Sequence, residues 1–153
     1  MSDAQLIRQF ALDALSRREH SRFELTKKLL TKEFPQDLIE VELTRLVELG
    51  YLSDARFTEV FIRSRTNRGC GPLRIIQELR QRGIGAELLE TVDARDPEWQ
   101  RLANALRCKR FGEALPHSQK DKAAQLRFLL YRGFSQTQCY QALKTSGYDE
   151  EDV

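Results

Sequence analysis

Histidine, cysteine, tryptophan and long apolar runs are all scarce in this chain, and each scarcity closes off a class of function. Its 153 residues contain two histidines, three cysteines, one tryptophan and one methionine. His20 and His117 lie far apart, and neither has a second histidine one helical turn away, so the His-x-x-x-His zinc pair is missing. Cys70, Cys108 and Cys139 are odd in number and widely spaced, which fits neither a disulfide framework nor a zinc motif. Free thiols of that kind belong in a reducing compartment. No stretch approaches the ~20 apolar residues of a membrane span. The N-terminal residues, interrupted by Asp3, Gln5 and Arg8, do not read as a signal peptide. The expectation is a cytoplasmic chain with no membrane partner.

Catalytic constellations are equally thin. His20 stands beside Ser21 at a helix junction, where a local hydrogen bond is its natural role. His117 falls in a linker. Gly69-Cys70-Gly71 lacks the lysine and the Ser/Thr of a phosphate loop and reads as a helix-breaking turn. Arg68 and Arg74 near Cys70 would favour a thiolate, but a small residue in a turn is the simpler reading. Glu150 and Glu151 sit in an acidic tail with no apolar pocket to raise a pKa. The chain is therefore expected to be no enzyme and to need neither cofactor nor metal. It should work by binding.

What is abundant is charge: 25 basic and 23 acidic residues make up 31% of the chain and nearly cancel, leaving +2. They are segregated along it. Between Ser53 and Ile84, Arg56, Arg63, Arg65, Arg68, Arg74, Arg80 and Arg82 outnumber Asp54, Glu59 and Glu78. Between Arg101 and Arg132, Arg101, Arg107, Lys109, Arg110, Lys120, Lys122, Arg127 and Arg132 face only Glu113 and Asp121. Ala86–Glu98 is acidic, and so is the end of the chain, from Asp149 to Asp152. Blocks of this kind suit either an extended molecule or large charged faces, and they favour surfaces that select partners by charge.

A period of fifty residues organises the rest. Leu29, Leu79 and Leu129 share it; so do Lys32, Arg82 and Arg132, and Phe34, Ile84 and Phe134. Ile39, Leu89 and Cys139 follow at a fixed offset. Glu33, Gly83 and Gly133 occupy one turn position, where the first repeat departs and Pro35 is expected to compensate. Ser21, Gly71 and Asp121 are acceptable helix N-caps.

Each unit reads as three helices. Leu6, Phe10, Leu12 and Leu15 mark the first helix, and Ser21-x-x-Glu24 is a capping box opening the second. Ser53 caps a helix with Phe57, Val60, Phe61 and Ser64 on one face. Pro72 opens the next, striped by Ile75, Ile76 and Leu79. Leu88, Leu89 and Val92 belong to a third. Pro97 opens a helix bearing Trp99, Leu102, Ala103 and Leu106 that ends near Gly112. A linker with Pro116 follows, then a helix starting at Ser118 or Asp121 with the stripe Ala123, Leu126 and Leu130, and a last helix capped by Ser135. The fold class expected is all-α: three tandem three-helix repeats, residues 1–50, 51–96 and 97–153, forming an elongated, curved array.

The candidate binding residues are the cations that the apolar stripes leave outward: Arg56, Arg63, Arg65, Arg68, Arg74, Arg80, Arg82, Lys109, Arg110, Lys120, Lys122, Arg127 and Arg132. Among them, Arg63, Arg65, Arg74, Arg80, Lys122, Arg127 and Arg132 are expected to contribute most. Reversing Arg74 or Arg127 to glutamate is expected to weaken binding and leave stability nearly unchanged. Guanidinium forks suit phosphates, and equally the carboxylates of an acidic protein. Phe128 and Tyr131 point off the expected stripe, toward a partner or a neighbouring unit. A helix–turn–helix reading places the third helix of a unit in the major groove. Glu40, Glu42 and Glu48 in the first unit, and Glu87, Glu90 and Asp93 in the second, oppose it there. Only Gln136, Gln138, Gln141 and Lys144 of the third unit are suited to reading bases. A stand-alone DNA-binding protein of that type is the alternative reading.

Several motifs resemble those of the RecX regulatory proteins of bacteria. Gly50-Tyr51-Leu52-Ser53-Asp54-Ala55-Arg56-Phe57 looks like their central signature. Gly71-Pro72-Leu73-Arg74-Ile75, with Glu78-Leu79 and Gly83-Ile84, is similar to a second. Arg18-Glu19-His20-Ser21, with Glu24-Leu25 and Lys28-Leu29, is similar to an N-terminal one. Lys109-Arg110-Phe111-Gly112 and Arg127 to Phe134 are similar to the C-terminal ones. The departures are Ser53 for the usual aspartate, Cys70 for an aromatic and Ile76 for a basic residue. The resemblance implies three tandem three-helix repeats and a monomer that binds RecA. It implies further that the protein lies in the groove of the RecA filament on DNA and restrains RecA's ATPase, strand exchange and coprotease activities. Binding of single- or double-stranded DNA without sequence preference is also implied.

Overall fold

The structure, a computed structural model, describes residues 1–146; the acidic run from Asp149 to Asp152 lies outside them. The described residues are all helical apart from turns and linkers. The order is α1 (Asp3–Arg17), α2 (Arg22–Thr31), α3 (Gln36–Glu48), α4 (Asp54–Asn67), α5 (Pro72–Gln81), α6 (Ala86–Leu89), α7 (Pro97–Phe111), α8 (Gln119–Arg132) and α9 (Gln136–Ala142). The chain divides into two compact units. Unit 1 is Met1–Arg63 with Leu79–Leu89, and unit 2 is Ser64–Glu78 with the chain from Glu90 on.

Caps set many of the helix starts. Ser2 with Gln5, Ser21 with Glu24 and Ser135 with Gln138 each form a reciprocal capping box. In each, two orphan N–H groups find side-chain acceptors. Asp96 caps α7, with Pro97 in its first turn. Ser118, not Asp121, caps α8; the Asp121 N–H donates to the Ser118 hydroxyl.

Unit 1 closes over one core of Ile7, Ala11, Ala14, Leu25, Leu29, Ile39, Leu43, Leu46 and Leu52. The face of α1 that meets it is Ile7–Ala11–Ala14, while Phe10, Leu12 and Leu15 flank it and Leu6 is exposed. Small alanines let α1 approach α3 closely, which a search for large apolar residues passes over. On α4 the buried set is Phe57, Thr58 and Phe61, with Val60 outside. The Thr58 hydroxyl donates to the Asp54 carbonyl, so its polar atom is satisfied and its methyl can be buried. In unit 2, α7 packs on α9 and α8. The stripe of α8 is Gln125 and Leu129; Ala123 and Leu126 are half-buried and Leu130 is exposed. The third helix of the second repeat is a single turn, α6, after which the chain unwinds to Asp96.

The fifty-residue period has a physical basis in how successive repeats dock. In unit 1 the Ser21 hydroxyl donates to the Arg82 carbonyl at 2.8 Å. In unit 2 the Gly71 N–H donates to the Arg132 carbonyl at 2.7 Å, and the Leu73 N–H to the Gly133 carbonyl at 2.9 Å. The start of one repeat's second helix thus rests on the turn that ends the next repeat's second helix. That turn is left-handed, with Gly83 at φ 77° and Gly133 at φ 104°. A Cβ on Gly83 would stand 2.3 Å from Phe23 Cβ, and one on Gly133 2.3 Å from Arg74 Cβ. Both conformation and contact therefore demand glycine. In the first repeat the equivalent residue, Glu33, adopts the same turn at φ 67°. Pro35 does not spare it; proline sits at the N-cap of α3 and leaves the backbone of residue 33 as it is in the other repeats. Glu33 is tolerated there because it is exposed.

Candidate functional site

The thirteen cations separate by partner. Four are neutralised internally. Arg56 pairs with Glu19 at 3.1 Å, Arg65 with Glu78 at 2.7 Å, Arg74 with the same Glu78 at 3.1 Å, and Arg82 reaches Glu24 at 4.0 Å. Burial raises the Glu78 carboxyl, but the hydrogen bonds from Arg65 and Arg74 outweigh it, and its pKa ends below the usual carboxylate value. Arg82 also lies over the Phe61 ring and Arg74 over the Tyr131 ring. These four brace the fold as much as they charge its surface. Arg63, Arg80, Lys120, Lys122 and Arg127 are exposed.

The remaining four, Arg68, Lys109, Arg110 and Arg132, come together in unit 2. They line a groove of about 410 Å³ between the α4–α5 turn, α7 and α8. Its floor is apolar, from Leu102, Leu106, Phe128 and Phe134, and among the described residues no acidic side chain lines it. None of the four cations forms an ion pair among the described residues. Phe128 organises two of them. Its ring packs edge-on against Phe111 at 5.4 Å, with Arg132 5.2 Å and Arg110 5.6 Å from its centroid. The Arg132 guanidinium also donates to the Arg68 carbonyl at 2.8 Å, which holds its side chain across the groove. Phe128 is thus a packed ring that positions charge, while Tyr131 is 75% exposed.

Two of the charges named from the sequence lie inside. Arg107 is completely buried. Its guanidinium donates to the carbonyls of Gly112, Glu113, Ala114 and Thr145 and to Gln125 Oε1, at 3.2–3.4 Å. It holds the 112–114 linker and the residues after α9 to one anchor, so the basic block of the third repeat is one charge poorer at its surface. Glu42 is buried too, paired with Arg8 at 3.1 Å and Arg45 at 3.4 Å. It therefore presents no acidic face.

His20 makes the local contacts expected of it. Its Nε2 faces the Lys28 ammonium at 3.3 Å, which can only donate, so Nδ1 carries the proton and donates to the Arg18 carbonyl at 3.0 Å. Burial lowers its pKa from the ordinary value, and Arg18 and Lys28 add to that. Burial likewise pushes the Cys139 thiol up to about 11. Cys70 is buried as well, and Cys108 is partly so. Among the described residues no group of three His, Cys, Asp or Glu side chains stands close enough to hold a metal. None of the helices there is long and apolar enough to cross a membrane.

Comparison with known proteins places this geometry in a lineage. Residues 8–46, 53–92 and 96–143 match the models of the RecX first, second and third three-helix domains. The regulatory protein RecX of Halorhodospira halophila is 39% identical over 149 residues, spanning 97% of this chain and 92% of that one. The same protein of Pseudomonas entomophila is 43% identical over 130 residues, 84% of each chain. A crystal structure of regulatory protein RecX superposes with a TM-score of 0.77 at 26% identity, covering 93% of this chain and 73% of the other. The crystal structure of RecX from Lactobacillus salivarius shares the fold, with a TM-score of 0.73 at 21% identity over 93% of this chain and 95% of the other.

Proposed function

Because this chain belongs to the RecX family of regulatory proteins, we propose that it binds RecA on DNA and restrains RecA's ATPase, strand exchange and coprotease activities. Its place is in the groove of the RecA filament, and it works as a cytoplasmic monomer without catalysis of its own. The observation that carries the reading is the set of cations with no ion pair among the described residues: Arg68, Lys109, Arg110 and Arg132 in one groove, with Arg63, Arg80, Lys120, Lys122 and Arg127 exposed besides. A nucleoprotein filament presents phosphates and carboxylates, and guanidinium forks bind both. Such a protein needs no active site. It shifts a filament between states only by binding one of them more tightly.

The stand-alone helix–turn–helix reading fits less well. Its recognition helix would be α6, which is one turn long, or α9, where Gln138 is buried, serves the Ser135 capping box and donates to the Ala94 carbonyl. A side chain so engaged is unavailable to a base edge.

Hydrolysis of ATP by RecA on single-stranded DNA, followed as this protein is added, tests the proposal. Inhibition at a protein concentration well below that of RecA is the expected result. Unchanged hydrolysis at equimolar protein would overturn it.

A further inference from the structure

We propose that the groove between the α4–α5 turn, α7 and α8 takes a single-stranded, not a double-stranded, stretch of nucleic acid. Phosphates lie on Lys109, Arg110 and Arg132, and an unstacked base lies against the apolar floor. The inference deepens the reading of the previous subsection and rests on it for the presence of DNA. Its own support is shape and chemistry.

A duplex carries its phosphates on a convex rod and admits protein into its grooves, so proteins that read it present a convex helix or ribbon. Here the cations line a concavity instead. Its ~410 Å³ falls in the range of clefts that enclose a small molecule. A separated strand can lay a nucleotide into such a space, and a stacked pair cannot. The floor makes the same distinction. Leu102, Leu106, Phe128 and Phe134 offer apolar surface that a duplex, with its bases hidden, cannot use. A single strand gains from burying a base face on such a surface, through stacking and desolvation.

The cations are set for this role. Arg132 is fixed by its bond to the Arg68 carbonyl and by the Phe128 ring, and Arg110 is held by that same ring. A guanidinium held in place loses little freedom on meeting a phosphate. Thr66, whose hydroxyl has no hydrogen-bond partner among the described residues, lines the same groove.

The test uses the full chain and two probes, a fluorescein-labelled oligothymidylate and a blunt duplex of equal length, titrated by anisotropy at several salt concentrations. The wild type should bind the single strand at least about tenfold more tightly than the duplex at equal salt. Lys109→Ala/Arg110→Ala should weaken single-strand binding about tenfold or more and flatten its log–log salt slope by roughly 1.4, since each phosphate contact on a single strand contributes about 0.7. Phe128→Leu should weaken it at least about fivefold with the salt slope nearly unchanged, since it removes a stacking face and no charge. The double variant leaves that ring and its edge-on packing against Phe111 in place, so it decides the matter if Phe128→Leu melts early. Arg17→Ala, exposed on α1, is the neutral control.

Equal affinity for both probes overturns the inference, and so does an unchanged single-strand affinity in the double variant. A double variant that loses the RecA filament but keeps the naked strand would assign the groove to an acidic protein surface, and would overturn it too. RecA inhibition by the wild type, measured alongside, reports separately on the regulatory reading. Either can fail while the other stands.

Discussion

Replacing Glu33 with glycine should make this protein more stable, although it deletes a side chain and loosens the unfolded chain. Glu33 holds φ 67° at the end of α2, a region where an L side chain crowds the following carbonyl at a cost of roughly 1–2 kcal/mol. Glycine relieves that strain. It also adds freedom to the unfolded state, a loss of about 0.5–1 kcal/mol relative to alanine. The balance is a gain of about 0.5–1 kcal/mol, or a rise of roughly 1–4 °C in melting temperature for a chain of this size. Removing a negative charge beyond a helix C-terminus acts in the same direction. Glu33→Ala separates the effects, because it removes the charge and keeps the Cβ; it should fall below Glu33→Gly by about 1 kcal/mol. The mirror experiment is Gly133→Ala, where the new methyl would stand 2.3 Å from Arg74 Cβ as well as in the strained region. Strain and overpacking together should cost about 2–5 kcal/mol. Urea and thermal unfolding followed by circular dichroism at 222 nm measure all three. A Glu33→Gly protein less stable than wild type, or a Gly133→Ala protein of unchanged stability, would refute the account of the repeat turn.

Arg107→Met should destabilise the protein by about 3–5 kcal/mol, because four carbonyls lose a shared buried donor, and Arg107→Lys should recover little, since an ammonium lacks the fork; urea titration gives both values. Stability should fall as the solution is acidified. His20, with its folded pKa below the unfolded value of 6.5, contributes fully above about pH 6.5, and that contribution is lost below it. Burial raises the Glu24 carboxyl, but bonds from Arg18 and the Ser21 N–H bring it below 4.5, so its contribution drains away at lower pH still. Melting temperature against pH in wild type and His20→Gln should differ in slope between about pH 5 and 7, and parallel curves would dismiss the histidine. Arg74→Glu should cost roughly 1–2 kcal/mol by setting a glutamate against Glu78, whereas Arg110→Glu should cost less than about 1 kcal/mol and weaken filament binding more; equal effects on stability and binding would show that the internal pairing carries no distinction. Cys139, with a thiol pKa of about 11 and full burial, should resist a thiol reagent at pH 8 until the protein unfolds, and prompt labelling would contradict its placement.

Periodicity, capping residues and punctuating glycines were sufficient for the helical class, the three-helix units and most of the helix starts, because those features act between residues close in the chain. Ser21 with Glu24 and Pro97 after Asp96 formed the helix ends expected of them. The same local signals misjudged faces. They chose Leu6 and Val60 by size, where close packing selected Ile7, Ala11 and Thr58. They left the α8 cap open between Ser118 and Asp121, since both are competent, and only the course of the preceding linker chooses Ser118. They extended the third helix of the second repeat beyond its single turn.

Charge shows the division most sharply. A sequence reveals that arginines are numerous between Ser53 and Arg132, and it contains every side chain of the groove, but it does not reveal which charges are already spent. Glu78 lies four residues from Arg74 and thirteen from Arg65, and it neutralises both. Arg107 looks like its neighbours Lys109 and Arg110, yet it is buried under carbonyls that reach it from as far away as Thr145. Arg68 and Arg132, sixty-four residues apart, meet across one hydrogen bond. Local propensity is a property of short stretches of chain and can be read from them. Which cation keeps its charge for a partner depends on desolvation and on carboxylates brought near by the packing of distant helices, and those distances exist only once the chain has folded.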